Sequence, residues 1–231
     1  MIRNTKIWPA LPILVLILIA VPTMSTADEK TLTLDEVLFH LKTREQTLET
    51  FSADFRQVQR SALFEKPQTS EGRLYFDRSG KLLMKMTMPE TFFVFLTGRK
   101  MISGTPGSPY RQKTLPGSNP FFKQILGTGR SVDQLKRQFN IQLTNVVKGQ
   151  GCDIEFHPLK KKRRMPFVSL QASINTRLWL PETVRLRESG GDVTVFFLTF
   201  TAINEPLPDG IFDIEAPNSL PAESPGSHEA K

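Results

Sequence analysis

Phe51-Ser52-Ala53-Asp54-Phe55-Arg56-Gln57 alternates apolar with polar side chains. A period of two is that of a strand with one face buried and the other in water. Strand-like stretches recur along most of the chain, over 51–60, 71–77, 81–88, 92–97, 110–114, 141–147, 152–157, 167–175, 182–188 and 193–203. Glycine or proline stands where reversals are needed, in Arg78-Ser79-Gly80, Met88-Pro89-Glu90, Thr97-Gly98-Arg99, Lys148-Gly149-Gln150-Gly151 and Ser189-Gly190-Gly191-Asp192. About ten antiparallel strands joined by short hairpins exceed what a flat sheet usually holds, so the sheet should curl into a barrel or half-barrel.

One helix precedes the strands. Thr33-Leu34-Asp35-Glu36 is a capping box, in which Thr33 and Glu36 satisfy each other's free amides at the helix start. Leu34, Leu38, Leu41 and Leu48 then share one face, while Lys42, Arg44 and Glu49 point to water. Such a helix must lie on something apolar. Between Pro106 and Gln138 the strand pattern breaks. A loop leads into the apolar cluster Phe121, Phe122, Ile125 and Leu126, read as a short helix, with a second helix around Val132 to Arg137.

Within 81–88, Leu82, Met84, Met86 and Met88 share one face. Thioether side chains deform easily and suit variable apolar ligands, although spacing alone favours ordinary core packing. Thr91-Phe92-Phe93-Val94-Phe95-Leu96 is apolar on both faces and needs cover on both. Helices inside the concave face of a curled sheet are expected to supply it, and a mobile helix there would leave a ligand cavity.

The composition fits one sizeable core. In 231 residues, 39% are hydrophobic and 23% charged, which excludes a disordered chain, a collagen and a polytopic membrane protein. Thirty basic residues against 23 acidic ones give a net charge of +7, suited to anionic partners. Arg3 and Lys6 precede an uncharged stretch, Ile7 to Ala27, that ends in small residues and reads as a Sec-type signal peptide cleaved near Ala27. That leaves 28–217 as the functional domain and 218–231 as a disordered tail. Removal of 1–27 leaves the chain basic, and export makes membrane or lipid partners better candidates than nucleic acid.

Catalytic and metal-binding patterns are missing. A single cysteine, Cys152, excludes a disulfide framework and reads as strand packing. His40, His157 and His228 do not have metal-ligand spacing, and no nucleophile stands in a recognisable triad or elbow motif. An esterase built on Cys152 and His157 is disfavoured by their placement, so no enzyme, no cofactor and no metal are expected. Lys160 to Arg164 reads as a solvated basic loop, with steering toward an anionic surface left open.

Phe51 to Gln57 followed by Glu71-Gly72-Arg73-Leu74-Tyr75-Phe76-Asp77-Arg78 resembles the opening of the periplasmic outer-membrane lipoprotein carrier family, LolA. Leu82 to Pro89 resembles the family's strand ending in proline, and Thr97-Gly98-Arg99-Lys100 its glycine turn. Asn119-Pro120-Phe121-Phe122 resembles its mid-chain helix start. Leu180-Pro181-Glu182, Val195 to Asn204, Ile211-Phe212-Asp213-Ile214 and Pro217 resemble its closing elements.

The resemblance implies a mainly β fold with a few helices: an unclosed antiparallel barrel whose helices cover the concave face. It implies a monomeric periplasmic carrier that shields the acyl chains of lipoproteins. Cargo would be loaded by an inner-membrane ABC-type release complex and delivered to an outer-membrane receptor lipoprotein. Matched residue by residue, the family's lid-closing arginine is Arg78. The family's cavity aromatics fall on Leu82 and Met84, its following proline is Ser79, and its tyrosine-containing strand is replaced by Ile102 to Gly107. The expected cavity lining is Leu82, Met84, Met86 and Val94 from the sheet, Leu34, Leu38 and Leu41 from the first helix, and Phe121, Phe122 and Ile125. Carriage of another amphiphile such as a glycolipid, or an RseB-like lipid-sensing regulatory role, is the alternative.

Overall fold

The computed structural model describes residues 32–61, 63–114, 132–147, 149–159 and 167–214, all within one compact unit, 32–231. The leader 1–27, the cluster Phe121, Phe122 and Ile125, the run Lys160 to Arg164 and the tail 218–231 lie outside the described residues.

The capping box forms as the sequence predicts and starts α1 (Leu34–Thr47): the Glu36 amide donates to Thr33 Oγ1 at 3.3 Å and the Thr33 amide donates to Glu36 Oε2 at 3.0 Å. Val37 and Leu38 are buried on the helix, and Leu48 is buried just beyond it. Arg44 is half-buried rather than solvated as expected, and its Nε is out of water with no hydrogen-bond partner among the described residues.

The strands are β1 (Thr50–Arg60), β2 (Gln68–Asp77), β3 (Leu82–Met88), β4 (Phe92–Thr97), β5 (Lys100–Gly104) and β6 (Arg111–Thr114), followed by α2 (Val132–Gln138). Then come β7 (Phe139–Val147), β8 (Gly151–Pro158), β9 (Phe167–Asn175), β10 (Leu180–Glu188) and β11 (Val193–Ile203). All pair antiparallel in one eleven-stranded sheet among the described residues, ordered β6-β5-β4-β3-β2-β1-β11-β10-β9-β8-β7, with β6 and β7 at its ends. The barrel is therefore open. The first and last strands meet at its centre, Phe55 opposite Leu198.

The sequence count of about ten strands omits β5. Its only large apolar residues, Met101 and Ile102, are adjacent and face opposite sides, so they give no alternation to detect. Thr97 pairs with Lys100 across Gly98-Arg99, and Gly98 at φ 55 occupies the first turn position, a geometry that matches strand twist.

One face of the sheet is continuously apolar. Phe51, Phe55, Leu74, Leu82, Leu96, Ile154, Ala172, Val184 and Leu198 belong to a single core with Val37 of α1. The opposite face of β2 to β5 carries a second, smaller core of Tyr75, Leu83, Phe93, Phe95 and Tyr110. Its cover differs from the expected concave helices. The segment after β11 supplies it, through Leu207, Ile211, Phe212 and Ile214, with Phe212 stacked on Phe95 at 5.9 Å. A helix inside the curl can touch only the concave face, so the second apolar face of β4 must be covered from outside.

Candidate functional site: the concave face and its roof

Alternation places Leu82, Met84, Met86 and Val94 together on the concave side, where Met84 pairs with Val94 and Leu82 with Leu96. Exposure grades along β3. Leu82 and Met84 are 2% and 6% exposed, Met86 is half-buried, and Met88 is 52% exposed. The stripe therefore changes from closed core near the β2–β3 turn to open surface at the far end. Leu34 and Leu41 of α1 are half-buried against the same core, and Leu38 is buried.

A small apolar recess lies at the other end of the sheet, lined by Leu135, Phe139, Phe156 and Leu170. Phe139 meets Phe156 edge-on at 6.0 Å and stacks on Phe167 at 6.1 Å. None of these four residues stands among those expected from sequence. Phe139, Phe156 and Leu170 alternate as the core residues beside them do, so parity marks them as inward-facing but not as cavity-lining, and Leu135 comes from α2.

Polar contacts gather at the two ends of α1. The β2–β3 turn is drawn tight by Asp77, whose carboxylate accepts from the Ser79 hydroxyl and from the Lys81 amide at 3.3 Å, with Gly80 at φ 90. This turn lifts Arg78 beside the helix end. Arg78 Nη1 donates to the Gln46 carbonyl at 2.9 Å and pairs with the Glu49 carboxylate, while the Arg78 amide donates to the Glu49 carbonyl at 2.7 Å. A cation there also suits the negative end of the helix dipole.

Asn204, at the end of β11, is a second latch that sequence reasoning did not single out. Its Nδ2 donates to the Thr47 carbonyl at 2.8 Å, and its Oδ1 accepts from the Glu49 amide at 2.8 Å. Its backbone is left-handed, φ 58, which asparagine tolerates better than most residues. At the opposite end of α1, Lys136 Nζ of α2 pairs with Asp35 Oδ1 at 2.8 Å. On the flank, His40 stacks on Trp179 with ring centroids 4.2 Å apart.

Cys152 is buried on β8, and burial, with Asp153 secondarily, pushes its thiol up to about 11, so it stays protonated at neutral pH. His157 faces Glu155 at 3.3 Å. No group of three or more metal-ligating side chains occurs among the described residues, and no helix among them is long and apolar enough to cross a membrane.

The family model described as "Outer membrane lipoprotein carrier protein LolA" matches residues 46–215. The chain belongs to the LolA family. Its members are carrier and binding proteins. A comparison with curated proteins finds no match. Among solved structures, an uncharacterized conserved protein from Thermus thermophilus has a TM-score of 0.50 at 10% identity, covering 80% of this chain and 95% of that one. A LolA superfamily protein from Nitrosomonas europaea has a TM-score of 0.40 at 11% identity, covering 79% and 98%. Lipoprotein LppX from Mycobacterium tuberculosis has a TM-score of 0.43 at 11% identity, covering 76% and 99%. At these identities the likeness is one of fold.

Proposed function

We propose that this LolA-family chain is a periplasmic carrier that shields lipoprotein acyl chains between its concave face and α1 and conveys them from the inner to the outer membrane. In this reading the leader 1–27 is removed on export. An inner-membrane ABC-type complex loads the cargo, an outer-membrane receptor lipoprotein takes it, and Arg78 holds the roof closed. The observation that carries the proposal is the uninterrupted apolar lining of the open sheet, roofed by a helix whose two ends are held by polar contacts.

The magnitudes favour such a device. Burying acyl methylenes yields about 0.8 kcal/mol each, so a dozen of them contribute about 10 kcal/mol. The contacts at the ends of α1 involve exposed partners, and each is worth only about 1 kcal/mol. Cargo can therefore displace the roof, and roof closure can help expel cargo. The recess beside Phe139 and Phe156 is far too small to take an acyl chain, so loading requires the roof to shift.

Mass spectrometry of organic extracts and co-purifying proteins, from the mature chain isolated from its own periplasm beside an Arg78→Leu variant, tests the reading. Acylated lipoproteins retained more strongly by the variant are expected. Glycolipid alone would assign the cavity to another amphiphile. An empty cavity in both preparations would overturn the carrier role.

A further inference from the structure

The outer face of the central strands is built unlike a plain solvated surface. On β1, β11 and β10 the concave side takes Phe55, Leu198, Val184 and Leu186, so the alternate residues face outward. Register sets Arg56 opposite Phe197, Arg60 opposite Val193, and Val195 between Val58 and Arg185. Arg187 is also opposite Val193, from the other side. A line of Val193, Val195 and Phe197 along β11 is thus flanked by two arginines on β1 and two on β10.

Phe197 is 38% exposed, and the Arg56 guanidinium sits 4.3 Å from its ring centroid. All four arginines are exposed, and among the described residues none has a carboxylate within ion-pair distance. On the same face Arg73 does pair with Asp54, at 2.8 Å, whereas Glu71, opposite Arg56 in register, does not close to ion-pair distance.

We propose that this face docks an acidic protein segment, with Arg56, Arg60, Arg185 and Arg187 pairing its carboxylates on both sides of an apolar side chain set against Phe197. Strand spacing makes the frame about 9.5 Å across and about 13 Å long, which fits one segment of chain rather than a broad domain surface. The cations are all arginine. The guanidinium fork binds carboxylates in a bidentate manner, and arginine with aromatics is enriched at protein interfaces where lysine is depleted. A lipid surface would recruit lysine equally well. The proposal concerns the face away from the cavity and stands apart from the carrier reading.

Photo-crosslinking tests it in the full chain, expressed in its own cells with p-benzoylphenylalanine at position 197 and, as a control on the same face, at position 142. The expected result is a protein adduct from position 197 whose cross-linked peptide, mapped by mass spectrometry, carries net negative charge. It should fall at least tenfold in both Arg185→Glu/Arg187→Glu and Arg56→Glu/Arg60→Glu, each compared at unchanged melting temperature and unchanged retention of a fluorescent fatty acid. If one pair alters folding, the other decides. An adduct only to lipid, an adduct to a neutral or basic segment, an adduct insensitive to charge reversal, or none above the control would overturn the proposal.

Discussion

Asn204 joins the two halves of the molecule, because its side chain reaches from the end of the last strand to the end of the first helix. Replacing it removes the hydrogen bonds to the Thr47 carbonyl and from the Glu49 amide, both 2.8 Å. Each is worth about 0.5–1.5 kcal/mol, and exposure places the pair in the lower half of that range, about 1–2 kcal/mol together. The backbone adds a separate cost. At φ 58 an alanine pays for the left-handed conformation, roughly 1 kcal/mol more, whereas glycine adopts it freely and loses only some chain entropy. Asn204→Asp keeps the acceptor for the Glu49 amide but sets a carboxylate oxygen against the Thr47 carbonyl at the negative end of α1.

Asn204→Ala is therefore expected to destabilise more than Asn204→Gly, with Asn204→Ala about 2–3 kcal/mol below wild type and the melting temperature lower by about 2–4 °C per kcal/mol. Urea denaturation at constant m value measures the order, and amide exchange at Glu49 reports the same contact locally. Asn204→Ala and Asn204→Gly both within 0.5 kcal/mol of wild type would refute the latch. Glycine proving worse than alanine would refute the backbone part of the reasoning.

Gly72→Ala should cost at least about 3 kcal/mol, because a β-carbon there would lie 1.9 Å from the Lys85 carbonyl oxygen at the β2–β3 bulge; a urea midpoint near wild type would contradict the register. Cys152 should resist a thiol reagent at pH 8 in the folded chain and react at once in guanidinium. Because its folded value is raised to about 11 from 9.0, the unfolded chain loses this proton first, so its contribution to stability is full below pH 9 and is lost as pH climbs towards about 11. A Cys152→Ala variant should show a shallower decline over that window. Asp35→Asn should change stability by less than about 1 kcal/mol, since the pair with Lys136 is exposed, yet speed amide exchange in the first turns of α1; unchanged exchange would remove this pair from the hold on the roof.

What could be read from the sequence follows the range of each signal. The capping box at Thr33 and Glu36 is local chemistry, and it forms as read. Strand alternation is nearly local, and it locates ten of the eleven strands described, failing at β5 where Met101 and Ile102 are the only large apolar residues. The cover over Phe93 and Phe95 is non-local. Phe212 lies more than a hundred residues further along the chain, and nothing in either segment's pattern names the other.

The site divides in the same way. Arg78 is reached through family likeness, but its partners depend on where α1 ends relative to the β2–β3 turn, which spacing does not encode. Asn204 carries an even weaker mark, one asparagine after a β-strand, and becomes a latch only because β11 pairs with β1 and so ends beside Thr47. The inward residues of β3 and of β8 alternate alike, yet Leu82 is sealed while Phe156 borders open space. An apolar side chain belongs to a core or to a cavity according to what lies above it, and here that is decided by the placement of α1 and α2. A carrier needs this ambiguity. A lining that was chemically distinct from core would be costly to close over when empty, and a lining that packed as tightly as core everywhere would not reopen for cargo.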